Sequence, residues 1–500
     1  MKKGLILLVL LACASVSHAA TPTLVQYKSD SIMNQVAITK WPMHMPNPAI
    51  GGNTVVIACY WHGSGATSAT FSVSDDKSDT WTLSPTTGSD STQNSVLQIA
   101  YAQNVTAGMQ KITPLLNSAF AMQCGLLGEF YNVSTASGTS NLDGASSCHV
   151  QTTSTTITAG SFSTSSDGDL ILNAATIDNF TTVPTTPVTW TPSGSFVTIF
   201  ADGTSLLYDQ YEVQTTHGAI NATGTVGHAQ QGSISCAIAF KAASAGGAPA
   251  AGIHVNGTVI EAYNNTSSGG QINWSAGSIT LQFPAIGNLI FVLPETLTAD
   301  KPSAISSSPS LTWNKITGTG LTNGCADNTN NSTSECGWYA SNPSPSNSMT
   351  ITITYGGTPA VAPVTELVDM SGAATSAFDV AAGSTGNLAA ETGTVTGPTI
   401  SPTTTTGLII AGIEQDGQTV SSMSHGYLMT VQCDGYQDLA LDQDGGWGHW
   451  YSPPASSSGI NWTYSNTEGA NNVGNWEAII VAFKASAAGG VVRHRGQVIQ

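Results

Sequence analysis

One stretch of this chain occurs twice. Ala237-Ile-Ala-Phe-Lys-Ala-Ala-Ser-Ala-Gly-Gly247 returns as Ile480-Val-Ala-Phe-Lys-Ala-Ser-Ala-Ala-Gly-Gly490. Pro48-Ala-Ile-Gly-Gly-Asn53 returns as Pro284-Ala-Ile-Gly-Asn288, Trp81 as Trp313, and Tyr101-Ala102 as Tyr339-Ala340. Gly128-Glu129-Phe130 is matched with Thr365-Glu366-Leu367, and Asp169-Leu170-Ile171 with Gly407-Leu408-Ile409. The order is preserved at a spacing of about 240 residues, so the chain carries two copies of one unit. Copy 1 is placed at 22–244 and copy 2 at 253–487. Residues 245–252, rich in Ala and Gly with one Pro, read as a short flexible linker.

Within each copy the patterns are those of strands. Thr54–Tyr60 is a β-branched apolar run bounded by Gly-rich turns, and Thr350–Tyr355 alternates with period two. Ser233–Phe240 and Glu477–Phe483 are continuous apolar runs, the mark of central strands. Polar clusters such as Ser74–Asp79 separate them, and no amphipathic helix is apparent. Short strands in such number predict an all-β chain of two tandem homologous jelly-roll-like β-sandwich domains. A closed outer-membrane barrel is the competing architecture, disfavoured by the duplication.

Charged residues make up 8% of the chain against a usual quarter, and the net charge is −18. That excludes charge-driven disorder and argues against nucleic acid, whose phosphates require a basic surface. Residues 1–19 have two lysines, an apolar core and small residues before Ala20, which predicts a secretory signal peptide. A rival reading makes Cys13 a lipidated cysteine. No later stretch is apolar for long enough to form a transmembrane helix. The chain is thus expected outside the cell or at its surface, where disulfides are permitted. Cys59 and Cys236 are both replaced in copy 2, by Pro294 and Ile479, which suggests a Cys59–Cys236 bond or two separate buried thiols. Cys124–Cys148 and Cys325–Cys336 are the other expected pairs, leaving Cys433 odd.

Each copy resembles a domain repeated in many predicted secreted bacterial proteins. The resemblance rests on Gly52-Asn53, Thr80-Trp81, Tyr101-Ala102-Gln103-Asn104, Glu129-Phe130, Gly168-Asp169-Leu170 and Ala239-Phe240-Lys241. It implies β-sandwich modules of unestablished function, often in tandem. It supplies no catalytic residues.

Signatures for hydrolases, metalloproteases, nucleotide binding and Cys-based zinc sites are absent from the sequence. Glu129 and Glu366 stand out as a carboxylate kept in both copies inside an apolar strand, as a ligand group or as a hydrogen-bonded strand residue. Glu414 and Asp416 add two acids on one strand face of copy 2 alone. Asp442 and Asp444, followed by two glycines, form the best calcium-loop candidate, with Asp75, Asp76 and Asp79 a second; a plain polar turn is the alternative for both. Trp447, His449, Trp450 and Tyr451 offer stacking surfaces for a sugar ring, with Tyr208 as the copy 1 counterpart; core filling is the alternative. Met43-His44-Met45 has copper-type donors, or packs a loop. The tail 488–500 bears Arg493, His494 and Arg495, a docking peptide or a frayed terminus.

Three functions compete. The first is a secreted or cell-surface, non-catalytic structural or adhesive protein contacting glycans or matrix. The second is a lectin-like carbohydrate-binding protein using the copy 2 aromatics. The third is a secreted polysaccharide hydrolase or lyase, which needs converging carboxylates. No cofactor is implied apart from calcium at Asp442 and Asp444.

Overall fold

The computed structural model describes residues 20–486, except 31–33, 146, 181–189, 203–206, 250–251, 263–276, 298–300, 329–332, 346–347, 357–363, 388–391, 417–418, 425–435, 439–442, 452–457 and 466–474. The segment 1–19, Cys13, Cys433, Asp442 and the tail therefore lie outside it. The described chain is nearly all β, as the sequence patterns predict.

Copy 1 contributes β1 (Thr23–Asp30), β2 (Thr54–His62), β3 (Trp81–Leu83), β4 (Ser95–Ala102) and β5 (Lys111–Tyr131) to one sheet. Its facing sheet is built from β6 (Leu142–Ala145), β7 (Leu170–Phe180), β8 (Val197–Asp202), β9 (Leu207–Val213) and β10 (Gln230–Phe240). Copy 2 begins with β11 (His254–Ala262), β12 (Ser278–Phe283), β13 (Leu289–Leu297), β14 (Pro302–Ser308) and β15 (Asn314–Lys315). It continues through β16 (Thr333–Cys336), β17 (Trp338–Ser341), β18 (Met349–Tyr355), β19 (Val364–Ser371) and β20 (Ala373–Asn387). Copy 2 also contains β21 (Leu408–Asp416), β22 (Tyr436–Asp438), β23 (Gln443–Tyr451) and β24 (Asn475–Ala485).

The strand orders in the two halves of the chain correspond. Copy 1 runs β1-β5-β2-β4-β3 in its first sheet, and copy 2 runs β11-β19-β13-β17-β15. The facing sheets run β6-β10-β7-β9-β8 and β20-β24-β21-β23-β22. Each facing sheet is backed by a three-stranded sheet around Ala219–Thr225 or Ser458–Ser465. Both faces of β2 are buried, which is why its sequence is an unbroken apolar run. Val56, Ala58 and Tyr60 face the second sheet, while Val55, Ile57, Cys59 and Trp61 face a separate core. In β18 alternate residues are buried, matching its period-two pattern.

The copies do not hang on a flexible tether. β1 pairs in parallel with β11, Tyr27 opposite Gly257, so the two first sheets form one continuous spine. β8 pairs with β12, which joins the facing sheet of copy 1 to the strands β12-β18-β14 of copy 2. One hydrophobic core accordingly contains Leu24, Tyr27, Leu172 and Ile238 of copy 1 together with Val259, Leu281, Val292, Ile351 and Leu367 of copy 2. Each such aliphatic side chain contributes roughly 1.5–3 kcal/mol when withdrawn from water. A Cβ on Gly257 would sit 2.2 Å from the Tyr27 ring, so the absence of a side chain there permits the junction. The linker is also fastened. Gly247 N donates to Asn53 Oδ1 at 2.8 Å, Asn53 Nδ2 donates to Gly247 O at 3.1 Å, and Asn132 N donates to Ala245 O at 2.6 Å. Through at least residue 247, the expected flexible linker is a strap bonded to copy 1.

Three cysteine pairs sit at bonding distance: Cys59–Cys124, Cys148–Cys236 and Cys325–Cys336. The expected Cys59–Cys236 and Cys124–Cys148 pairs are corrected. A Cys59–Cys236 bond would need β2 and β10 to be neighbours in one sheet, but they belong to two sheets facing each other. Cys59 also points away from β10, into the core on the other side of the spine, where Cys124 of β5 is its register partner. Cys236 lies between the sheets and meets Cys148 in the loop leading to His149–Gln151.

Candidate functional site

The residues that recur in both copies are occupied in holding the fold. Trp81 Nε1 donates to Asp75 Oδ2 at 2.8 Å, and its counterpart Trp313 Nε1 donates to Ser307 Oγ at 3.4 Å. Tyr101 packs edge-on against Phe240 of the closing strand, as Tyr339 does against Phe483. Asp143 accepts from the backbone and hydroxyl of Ser165, and Asp379 does the same with Thr403. The proposed Asp75–Asp79 calcium loop is spent in the same way. Asp75 accepts from the amides of Lys77 and Asp79, Asp76 from Gln110 and Lys111, and Asp79 from Thr106.

The paired carboxylate is real, but its partner is different. Glu129 lies opposite Val55 and Asp369 opposite Ile290, the matching residues of β2 and β13. Glu129 accepts from Ile50 N at 2.8 Å, from Asn53 Nδ2 and from Gln26 Nε2. Asp369 accepts from Ile286 N at 3.1 Å and Gly287 N at 3.0 Å. Glu129 thus ties its Pro-Ala-Ile-Gly turn to β1 and β5, and Asp369 ties the matching turn to β19. Burial pushes both carboxyls up to about 7 against these donors, which pull the other way. Strand register, including a one-residue bulge near Gly128 that β19 lacks, sets Glu129 level with Asp369, three residues beyond Glu366.

Of the sugar-stacking candidates, only the side chain of Tyr208 is among the described atoms. Tyr208 is fully buried and stacked on Trp190 at 5.3 Å, because it faces the main core. Strand register also moves its copy 2 match. β7 and β21 align at Leu170 and Leu408 through Phe240 and Phe483, which puts Tyr208 at the position of Gly446. Trp447, His449, Trp450 and Tyr451 lie on β23, opposite Gly412, Ile410, Ile409 and Leu408; their side chains, with that of Asp444, are outside the described atoms. Met43 and Met45 are buried in the outer core, and His44 is lowered to about 4 by burial and then by Lys28 and Lys111.

Where the copies differ, a site emerges that motif reading missed. Register equates Tyr60, Leu97, Gly125 and Ile234 of copy 1 with Glu295, Glu335, Glu366 and Glu477 of copy 2. All four glutamates are at most 2% exposed, in the space between spine and facing sheet. Glu295 lies directly opposite Glu335, and Glu477 opposite Glu414. Glu335 reaches across to β21: a Cβ on Gly412 would lie 2.3 Å from its Oε1. Neither Glu335 oxygen has a well-formed hydrogen bond, although the Ile479 amide approaches it. Burial, then the charges of Glu295, Glu366 and Glu477, hold the Glu335 carboxyl well above the usual carboxylate range. Copy 1 places one acid in the corresponding space: Asp209, raised by burial, points at the gap left by Gly125. Among the described residues, no group of three or more His, Cys, Asp or Glu is arranged to hold a metal ion. Comparing the two copies position by position was the signal that could have exposed the cluster. No protein-family model matches the chain, and no curated protein matches it.

Proposed function

We propose that the chain is a secreted or cell-surface, non-catalytic structural or adhesive protein, built of two jelly-roll-like β-sandwich modules fused into one body. The observation that carries this reading is the shared spine. A parallel β1–β11 pairing and a common core make two lobes behave as a single stiff element, which suits a spacer or matrix component. The motif residues common to both copies are consumed by turns, packing and strand ties, as expected of a scaffold. Three disulfide-distance pairs fit an extracellular setting. Linked lobes would add weak contacts through effective concentration.

The test is a panel of polysaccharides and glycans offered to the mature protein, with and without calcium. The expected outcome is neither cleavage nor selective glycan binding, with the protein retained in the cell-surface fraction. Selective binding lost on Trp450→Ala would transfer the assignment to the carbohydrate-binding reading, and polysaccharide cleavage to a hydrolase or lyase.

A further inference from the structure

Asp143 on β6 and Asp169, just before β7, reach each other across β10 and are in hydrogen-bonding contact. Asp143 is the extra residue of a bulge, between Leu142 opposite Phe240 and Gly144 opposite Ala239, a device that re-aims one side chain. Ionised carboxylates only accept, so neither can satisfy the other. Asp143 Oδ2 accepts from Ser165 N at 2.5 Å and Ser166 N at 2.7 Å, which fills it. Asp143 Oδ1 accepts from Ser165 Oγ at 2.5 Å and keeps one lone pair. Asp169 is fully buried; its Oδ1 accepts from Ala242 N at 3.4 Å, and its Oδ2 has no donor. A buried carboxylate oxygen in that state calls for a positive charge against it. We propose that Asp143, Asp169 and Ser165 bind calcium in copy 1, fastening residues 164–169 to the edge strand β6.

The second copy shows that the other acid is surplus to the fold. Asp379 keeps the tie to Thr403, but Gly407 stands at the place of Asp169, where a Cβ would lie 2.4 Å from Phe483 O. The bases nearby are engaged. Lys241 acts on Asp169 through space, yet its ammonium donates to Ser140 O at 3.2 Å. His217 is paired with Asp167 at 2.7 Å. The free donors are hard oxygens in an irregular array: Asp169 Oδ2, the spare lone pairs of both carboxylates and Ser165 Oγ. Such a set suits calcium, with water completing about six to eight ligands. Asn141, the residue before β6, is also fully buried with its side-chain oxygen unpartnered, and an amide oxygen is a calcium ligand. Ser165 is exposed and Asp143 half-buried, so an ion has a way in. Two acids make a weaker site than a closed cage, within the range of about 0.1–1 mM found in extracellular modules.

Equilibrium dialysis of the mature protein against radioactive calcium at about pH 7.5 tests the site. A dissociation constant of about 0.1–1 mM is expected, weakened at least about tenfold by Asp169→Asn. Asp379→Asn, at the copy 2 counterpart of Asp143, should leave it unchanged, as should Asp442→Asn combined with Asp444→Asn. Hydrogen exchange of the unaltered chain gives a second readout if Asp169→Asn does not fold. With calcium at about ten times its dissociation constant, exchange at 164–169 and in β6 should slow about tenfold, while 402–407 in copy 2 stays unchanged. Absence of calcium binding overturns the proposal, and so does binding that survives Asp169→Asn or is lost in the Asp442 and Asp444 variant.

Discussion

The folded chain is expected to be most stable in mild acid and to weaken steadily as pH rises through neutrality. Glu129 and Asp369 both have carboxyls raised to about 7 by burial, whereas in the unfolded chain they titrate near ordinary carboxylate values. The folded state therefore binds more protons than the unfolded state between those limits. Its stability is fully present below about pH 4 and is lost as pH climbs towards about 7. For each residue the loss is on the order of 3 kcal/mol at neutral pH and above. Against burial, which raises it, Asp143 is lowered to about 2 by its hydrogen bonds with Asp169, Ser165 and Ser166, and works in the opposite sense. Urea midpoints measured from about pH 3 to about pH 9 should peak near about pH 4. A peak above pH 7 would contradict this assignment of the two carboxyls. With only 12 Lys and Arg in 500 residues, acidification also generates little self-repulsion.

Glu129→Ala and Asp369→Ala should each cost about 3–5 kcal/mol, more than any other truncation of an acid in this chain. Glu129→Ala strands the Ile50 amide, the Asn53 amide group and the Gln26 amide group in a fully buried place. Asp369→Ala strands the Ile286 and Gly287 amides. The loss should appear as an equal fall in urea midpoint in both variants, with a shallower pH dependence, because a titrating group has gone. A change below about 1 kcal/mol in either would mean that water replaces the carboxylate, and that the two turns are held by something else.

The all-β character of the described chain was legible in the sequence. The runs Thr54–Tyr60 and Ser233–Phe240 read as central strands because burial on both faces leaves no room for polar alternation. What failed were inferences about register. The motif match paired Glu129 with Glu366, whereas strand register sets it level with Asp369, three residues further on. The Cys59–Cys236 inference failed because joint loss of two cysteines says nothing about which sheet each occupies. Tyr208 reads as an exposed aromatic only until Trp190, eighteen residues away and far from any motif, is seen to cover it. The glutamate cluster was illegible for a similar reason. Glu295, Glu335, Glu366 and Glu477 span most of copy 2, and they meet only through the pairing of β13 with β16 and β19 and the approach of β24 from the facing sheet.

The central claim is that the two copies form one body through β1, β11 and a shared core. The most direct measurement is to place a protease site at residues 248–251 of the full-length protein, cleave it, and run the product on a sizing column. The fused architecture predicts a 1:1 complex that co-elutes at the uncut position and separates only in denaturant. Two folded halves that elute apart in native buffer would contradict it, and would restore a picture of independent domains on a flexible tether.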